Sequence, residues 1–164
     1  MTLRLPAWLI ARLFDVLVRR VAEAREPDFV IGDSYLRRWW VVPRNRRFNV
    51  YLHEIRKSDD DRALHDHPWV NCSILLKGRY VEHTIAAGGV NQRVERQAGE
   101  VVFRRPSHAH RLEMVGGESC WTLFLTGPTV RSWGFHCPAG WRHWKIFTSA
   151  DGRSVGRGCG EADQ

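Results

Sequence analysis

The chain has 164 residues, of which 43% are hydrophobic and eight are tryptophan, so it can form one packed globular domain and is too apolar to be disordered. Its formal net charge is +7, but the basic residues are scattered, and no zinc-finger spacing, recognition helix or RNA-binding aromatic motif accompanies them. This distribution indicates a solvated basic surface, and no nucleic-acid partner is expected.

The first predicted element is a helix over residues 6–24. Apolar residues recur at helical spacing along it, and charged residues occupy the opposite face. Pro6 suits a first helical turn. A basic amphipathic helix can lie on a membrane or pack on its own domain. We favour packing, with residues 1–27 covering the domain that follows, and expect no membrane partner.

After Pro27 the chain changes to short segments rich in β-branched and aromatic residues, separated by turn signals. The predicted strands are 28–32, 35–42, 48–56, 70–77, 79–85, 100–105, 109–115, 119–126, 130–136 and 142–147. Many short strands without intervening helices predict an all-β sandwich or barrel over residues 28–148. Whether two chains pair through strands 28–42 as a homodimer is left open. Residues 149–164 are rich in Gly, Ser and charge, and are predicted to form a flexible, disordered tail.

The four cysteines show no C-x-x-C spacing. Cys72 and Cys120 stand in apolar strand segments, where a free cysteine behaves as a small hydrophobic residue. No segment has the apolar length of a membrane span. These features favour a reducing compartment, and we expect a cytoplasmic protein.

The histidines provide the strongest functional signal. His65 and His67 are two residues apart in the segment RALHDHPW, so on an extended chain both point to the same side. His108 and His110 follow about forty residues later, in RRPSHAHRLE. Imidazole is the commonest transition-metal ligand, so converging histidines on facing strands predict a bound metal ion. The remaining histidines are expected to be structural: His53, His83, His136 and His143.

These residues resemble the two motifs of the cupin superfamily. His65 and His67 match the first motif, Asn71 stands at its glutamate position and Gly78 closes it; the second motif matches more loosely through Gly99, Pro106 and His110. The resemblance implies a small antiparallel jelly-roll barrel whose divalent transition metal is held by His65, His67 and His110. Asn71 either leaves the metal or is a weak fourth ligand. His108 either substitutes for His110 or lies behind it.

Other segments look like uncharacterised bacterial and phage cupins: DRALHDHPW, HRLE, WTLFLTGP and WGFHCPAGW. A more distant similarity links His65-Asp66-His67 and His110-Arg111-Leu112-Glu113 to the thiol dioxygenases, such as cysteine dioxygenase. That similarity implies Fe(II), with Ni, Zn or Mn as alternatives. It also implies a carboxylate-binding role for Tyr35 and Arg37, with Trp69 lining the mouth of the barrel.

The same comparison shows one departure. Trp121, Leu123 and Leu125 stand where the thiol dioxygenases carry a Ser-x-His-x-Tyr proton relay, so cysteine is expected to be a poor substrate. Two function classes therefore survive. One is a metal-dependent, dioxygenase-like enzyme that acts on a small anionic substrate; the other is a non-catalytic cupin that binds a metal or small ligand. The open metal site and Arg37 favour the enzyme, the missing relay favours the binding protein, and we lean to the enzyme. A sugar-nucleotide epimerase or isomerase is a weaker third hypothesis, because this sequence shows no acid–base pair at a suitable spacing.

Overall fold

The computed structural model describes residues 3–32, 34–59, 63–150 and 156–160. Its helices are α1 Ala7–Leu17, which continues as a π-helical turn Val18–Ala22, and α2 Trp144–Phe147. The strands are β1 Leu3–Arg4, β2 Phe29–Ile31, β3 Leu36–Trp40, β4 Asn49–Ile55, β5 Leu64–His65, β6 Asn71–Lys77, β7 Arg79–Ile85, β8 Asn91–Gln97, β9 Glu100–Arg104, β10 His110–Met114, β11 Cys120–Thr126, β12 Gly134–Cys137 and β13 Gly140–His143.

The strands form two antiparallel sheets that face each other. The seven-stranded sheet has the order β1-β9-β6-β11-β4-β3-β2, and the six-stranded sheet has the order β13-β12-β5-β10-β7-β8. One buried cluster joins the two inner faces, with Leu36, Ile55, Leu75 and Cys120 from the first sheet and Tyr80 and Leu112 from the second. This apolar cluster fills one end of the space between the sheets. The predicted antiparallel all-β fold is therefore confirmed.

Helix α1 packs on the outer face of the seven-stranded sheet. Ile10 is buried there against Trp39, Leu52 and Leu76. The ring of Phe14 meets the ring of Trp121 edge-on, with centroids 5.7 Å apart. The apolar stripe of the helix is thus directed at the domain, as the sequence analysis predicts. Among the described residues, no helix is long and apolar enough to cross a membrane.

We expect Ile10→Ala to destabilise the domain, because it leaves a cavity between α1 and the sheet. Ile10 is only 4% exposed, so its truncation should lower the free energy of unfolding by about 2–3 kcal/mol in urea denaturation. Val16 lies on the same helix but is 44% exposed, and Val16→Ala should change stability by less than about 0.5 kcal/mol. Equal effects of the two substitutions would show that the helix does not depend on this contact.

The structure differs from the predicted strands in several places. The two-residue strands β1 and β5 were not predicted. β8 was not predicted because its sequence, NQRVERQ, is polar and almost wholly exposed; it is held instead by pairing along its full length with β7. The predicted strand 142–147 is wrong, since residues 144–147 form α2, which begins where the His143 ring accepts a hydrogen bond from the Lys145 amide. The β12–β13 hairpin requires glycine at position 134, because a Cβ there would lie 2.0 Å from the Arg142 carbonyl oxygen.

A second small core lies behind the C-terminal hairpin. Ala63, Cys137, Phe147 and Cys159 are buried together there, and Phe135 packs against them. Cys137 and Cys159 form a disulfide that no sequence spacing indicated, whereas Cys72 and Cys120 are free as expected. In the predicted tail, residues 151–155 and 161–164 lie outside the described residues. The described stretch 156–160 lies against α2, where Gly156 and Gly158 donate to the Phe147 carbonyl.

Candidate metal centre

Three histidines converge between the two sheets. The ring centroids of His65, His67 and His110 lie 4.9 to 5.2 Å apart, nearly an equilateral triangle. One ring nitrogen from each lies within 4.8 Å of the other two, and Nε2 of His67 is 3.0 Å from Nε2 of His110. The structure therefore brings together the three residues that the cupin resemblance implies.

Strand pairing creates this convergence. β10 pairs with β5 in a register that sets His110 directly opposite His65. His67 follows β5, and its backbone amide donates to the Pro106 carbonyl at 3.1 Å. Because side chains alternate along an extended chain, His65 and His67 both point inward and the residue between them points away. Backbone hydrogen bonds thus preset the positions of all three rings.

The cluster has the chemistry that a divalent transition metal requires. Burial lowers the pKa of His67 well below its usual range, and the neighbouring His65 and His110 add to this. Burial likewise lowers the pKa of His110 to about 3, helped by the charge of Arg104 and opposed by a hydrogen bond to Glu82. The rings of His67 and His110 are therefore neutral, and each keeps a free lone pair. Two nitrogens that each lie about 2.1 Å from one ion, at a right angle, would be about 3 Å apart. Nε2 of His67 and Nε2 of His110 have this separation.

Glu82 on β7 orients His110 and was missed by the sequence analysis. Its Oε1 accepts a hydrogen bond from Nδ1 of His110 at 2.9 Å, which directs Nε2 of that ring to the cluster. The same carboxylate accepts Nε of Arg104 at 2.7 Å and Nε of Arg96 at 2.9 Å. Burial alone would raise the pKa of Glu82, but the hydrogen bonds from His110 and Arg104 hold it well below its usual range. Glu82 is thus ionised and fixes the tautomer of a candidate ligand.

Asp66 holds the ligand segment from the opposite side. It lies between the two histidines, is 1% exposed and points away from the cluster. Its carboxylate accepts four hydrogen bonds, from the Gly134 amide, Arg131 Nη1, His136 Nε2 and Trp141 Nε1. Burial would raise the pKa of Asp66, but the Gly134 amide and Arg131 lower it. Hydrogen bonds from the tryptophan-rich segment 133–144 and from Arg131 therefore fix the segment that carries His65 and His67, on the side away from the cluster.

Tyr35 lies near the cluster but is already occupied. Its hydroxyl donates to Oδ1 of Asp59, whose other oxygen lies 3.8 Å from Nδ1 of His65. Asp59 also accepts the Leu112 backbone amide at 2.6 Å. Tyr35 thus positions Asp59 beside His65, which differs from the substrate contact that the sequence resemblance implies.

Arg37, the predicted carboxylate-binding residue, is not brought to the cluster. Its Nη1 lies 3.5 Å from Oε2 of Glu54, and its side chain is 40% exposed on the outer face of the sheet. The next residue, Arg38, points inward instead: its Nε donates to Nε2 of His53 at 2.8 Å, and its guanidinium lies 5.0 Å from the centre of the Tyr51 ring. Because successive residues of a strand point to opposite faces, Arg37 lies outside the barrel and Arg38 lies inside it.

Arg38 pairs with no carboxylate among the described residues, although it lies inside the barrel. Burial lowers the pKa of the neighbouring His53 well below its usual range, and the charge of Arg38 adds to the effect. The same charge contributes to the lowered pKa of His67, after burial and the neighbouring histidines. A positive charge therefore faces the candidate metal centre.

The remaining predicted site residues occupy distinct positions. Trp69 stacks on His67, with ring centroids 4.9 Å apart, and lines the cluster as expected. His108 is outside the triangle: its side chain is 41% exposed, and its Nε2 lies 3.9 Å from Oε1 of Glu82. Asn71 points inward and is 1% exposed, but neither its side-chain oxygen nor its nitrogen has a hydrogen-bond partner in the described part of the chain.

The strand that carries the relay in thiol dioxygenases has a different inner face here. Trp121 and Leu123 pack under α1 on the outside of the sheet. The residues of β11 that are buried in alternation with them are Thr122, Phe124 and Thr126. The resemblance therefore matched residues of the outer face of β11 to a relay that would need the inner face. The inner face of β11 also carries no imidazole or phenol. The conclusion that this strand lacks the relay is unchanged.

Comparison with known proteins shows the fold. No protein-family model matches the chain, and no curated protein matches it. Bacillus subtilis oxalate decarboxylase, a protein with Mn(II) centres, is similar over 69% of this chain and 30% of that chain, at 18% identity and a TM-score of 0.51. Another oxalate decarboxylase structure is similar over 71% of this chain and 31% of that chain, at 20% identity and a TM-score of 0.51.

A Klebsiella pneumoniae protein with a double-stranded β-helix domain is similar over 63% of this chain and 86% of that chain, at 15% identity and a TM-score of 0.49. This chain spans less than a third of the length of the oxalate decarboxylases that it matches. The likeness to the oxalate decarboxylases is one of fold, and it agrees with the fold that the cupin motifs imply.

Proposed function

We propose that this chain, which has the cupin fold, is a metal-dependent enzyme of the dioxygenase type that acts on a small anionic substrate. The observation that carries the proposal is the convergence of His65, His67 and His110 on one point inside the barrel. Three nitrogen ligands leave coordination positions open for a substrate, as in other catalytic metal sites. Fe(II) is the metal that we propose, with Mn, Ni and Zn as alternatives.

When bound, the ion supplies Lewis-acid or redox chemistry at its open positions. The residues of the chain have separate tasks. Glu82 holds Nδ1–H of His110, so the opposite nitrogen keeps its lone pair. Trp69 and Phe124 form an apolar wall beside His67 that limits access of water, their rings meeting edge to face at 5.7 Å.

Arg38 is the residue that we propose to bind the anionic group of the substrate. Its guanidinium is partly buried and points into the barrel, and it pairs with no carboxylate among the described residues. An incoming carboxylate would be attracted by this positive charge. His53 receives one of its donors and fixes its direction. This assignment replaces Arg37, whose position on the outer face does not suit the role.

The test is oxygen uptake by Fe(II)-loaded protein across a panel of hydroxy acids, amino acids, diketones and thiols. We expect uptake with a small carboxylate and little uptake with cysteine. Arg38→Met should raise KM about tenfold or more with a smaller change in kcat, because it removes binding of the anionic group. Arg37→Met is the matched control on the outer face and should leave both constants unchanged.

Rapid oxidation of cysteine to a sulfinate would contradict the expectation that cysteine is a poor substrate. Inactivity across the panel and with manganese, from protein that holds one metal ion, would favour the non-catalytic binding protein.

Location is a separate proposal: we propose a cytoplasmic protein, but a disulfide such as Cys137–Cys159 is more common in oxidising compartments. The number of alkylated cysteines, measured by mass spectrometry on protein from cells that were alkylated before lysis, would decide whether that disulfide forms in the cell.

A further inference from the structure

Two neighbouring side chains inside the barrel have no hydrogen-bond partner. In the described part of the chain, the buried side-chain atoms without a partner are Oδ1 and Nδ2 of Asn71 and Oγ1 of Thr126. Each residue is 1% exposed. More than nine-tenths of buried polar groups in proteins are paired, since an unpaired group costs free energy. That all three atoms fall on one pair of side chains indicates a site and not scattered imperfections.

The pair lies on the inner face of the seven-stranded sheet, beside the metal centre. Asn71 on β6 is directly opposite Thr126 on β11, so their side chains point to the same face. On the other side Asn71 is opposite Arg104, which reaches Glu82, the partner of His110. Thr126 is two residues from Phe124, whose ring centroid lies 6.1 Å from that of His67.

We propose that Asn71 and Thr126 form a subsite that binds the hydroxyl group of a small hydroxycarboxylate next to the metal. The proposal rests on the proposed function, because the metal held by the three histidines and the guanidinium of Arg38 would bind the rest of the ligand. Asn71 is therefore assigned to the ligand and not to the metal, although it stands at the glutamate position of the cupin motif.

The donor and acceptor inventory selects the hydroxyl group. Asn71 offers two donors and one acceptor, and Thr126 offers one donor and an acceptor oxygen. A hydroxyl can donate to Oδ1 of Asn71 and accept from Nδ2 or from Thr126. A carbonyl oxygen can only accept and would leave Oδ1 unpaired. A thiol is a weak donor and a weak acceptor, so it would leave both side chains poorly satisfied.

The experiment compares lactate, propionate and 2-mercaptopropionate by calorimetric titration of the metal-loaded full chain, with metal content measured in the same samples. Lactate should bind at least about 100-fold more tightly than propionate, because buried groups built for a hydroxyl are left unpaired by its absence. Lactate can also chelate a metal through its hydroxyl, so this preference alone does not identify the subsite. The variants of the pair make that distinction.

Thr126→Val, which keeps the shape and removes the hydroxyl, should weaken lactate binding about tenfold and leave propionate binding unchanged. Asn71→Leu should reduce the preference for lactate further, with metal content unaltered. Thr122→Val is the matched control: it makes the same change on the same strand and face, beside Leu75 in the apolar cluster, and should leave lactate binding unchanged.

Stability of the metal-free protein provides an independent readout. Because the Thr126 hydroxyl has no hydrogen-bond partner among the described residues, Thr126→Val should not lower the melting temperature. A decrease of several degrees would show that the hydroxyl already has a partner, and would overturn the subsite. So would an unchanged preference for lactate in both variants, or loss of metal in Asn71→Leu. Wild-type protein that holds no metal would instead overturn the proposed function, and the subsite with it.

Discussion

Replacing any one of His65, His67 or His110 by alanine should abolish metal binding. Metal-replete wild-type protein should contain about one equivalent of metal, and each variant less than about a tenth of that after gel filtration, since loss of a group that merely supports a ligand already costs about 10–100-fold in affinity. The three rings form one triangle, so the losses should be similar. Elemental analysis by mass spectrometry checks this.

The matched control is His143→Ala. His143 lies on the C-terminal hairpin, outside the cluster, and its ring accepts a hydrogen bond from the Lys145 amide. This variant should keep its metal. Equal metal loss in the control, or retention of metal by a variant of the triangle, would show that the ion is held elsewhere. Melting curves of the metal-free proteins separate loss of a ligand from loss of the fold.

Removing the Glu82 carboxylate should lower the free energy of unfolding more than the other substitutions proposed for this chain. Glu82→Ala leaves the Arg104 guanidinium, whose side chain is 2% exposed, without its carboxylate partner at 2.7 Å. An unpaired buried charge costs about 3–5 kcal/mol, which is a large share of the stability of a single domain. Urea unfolding of the metal-free protein should show a decrease of this size. Glu82→Gln should give a smaller decrease, because its amide oxygen can still accept from Arg104.

An exposed ion pair of the same type provides the control. Arg79 and Glu95 pair at 3.4 Å between β7 and β8, and each side chain is more than half exposed. Glu95→Ala should therefore lower stability by about 0–1 kcal/mol. If Glu82→Ala costs no more than this, the carboxylate does not compensate a buried charge. Glu82→Ala should also bind metal about 10–100-fold more weakly, because His110 loses the partner that orients it. Glu82→Gln should lose less affinity, because its amide oxygen can still accept from Nδ1 of His110.

Local patterns in the sequence were enough to predict α1, most of the strands and the antiparallel class. Apolar residues at a helical period identify one face of α1, and short β-branched segments identify strands, because burial selects both patterns residue by residue. β8 was missed for the same reason, since a polar edge strand is stabilised by pairing with its neighbour and not by burial. The disulfide lay beyond prediction because 22 residues separate its cysteines.

The candidate metal ligands could also be predicted, since the spacing of His65 and His67 places them on one side of a strand and motif matching supplied His110. Only the tertiary structure decided which residues surround them. Arg38 and not Arg37 points into the barrel, because strand parity depends on the register of pairing, which no local pattern specifies. Glu82 orients His110, and Asn71 faces Thr126, across strands that are far apart in the chain. These contacts depend on the pairing of distant strands, so the sequence by itself determines the candidate ligands and the tertiary structure determines their environment.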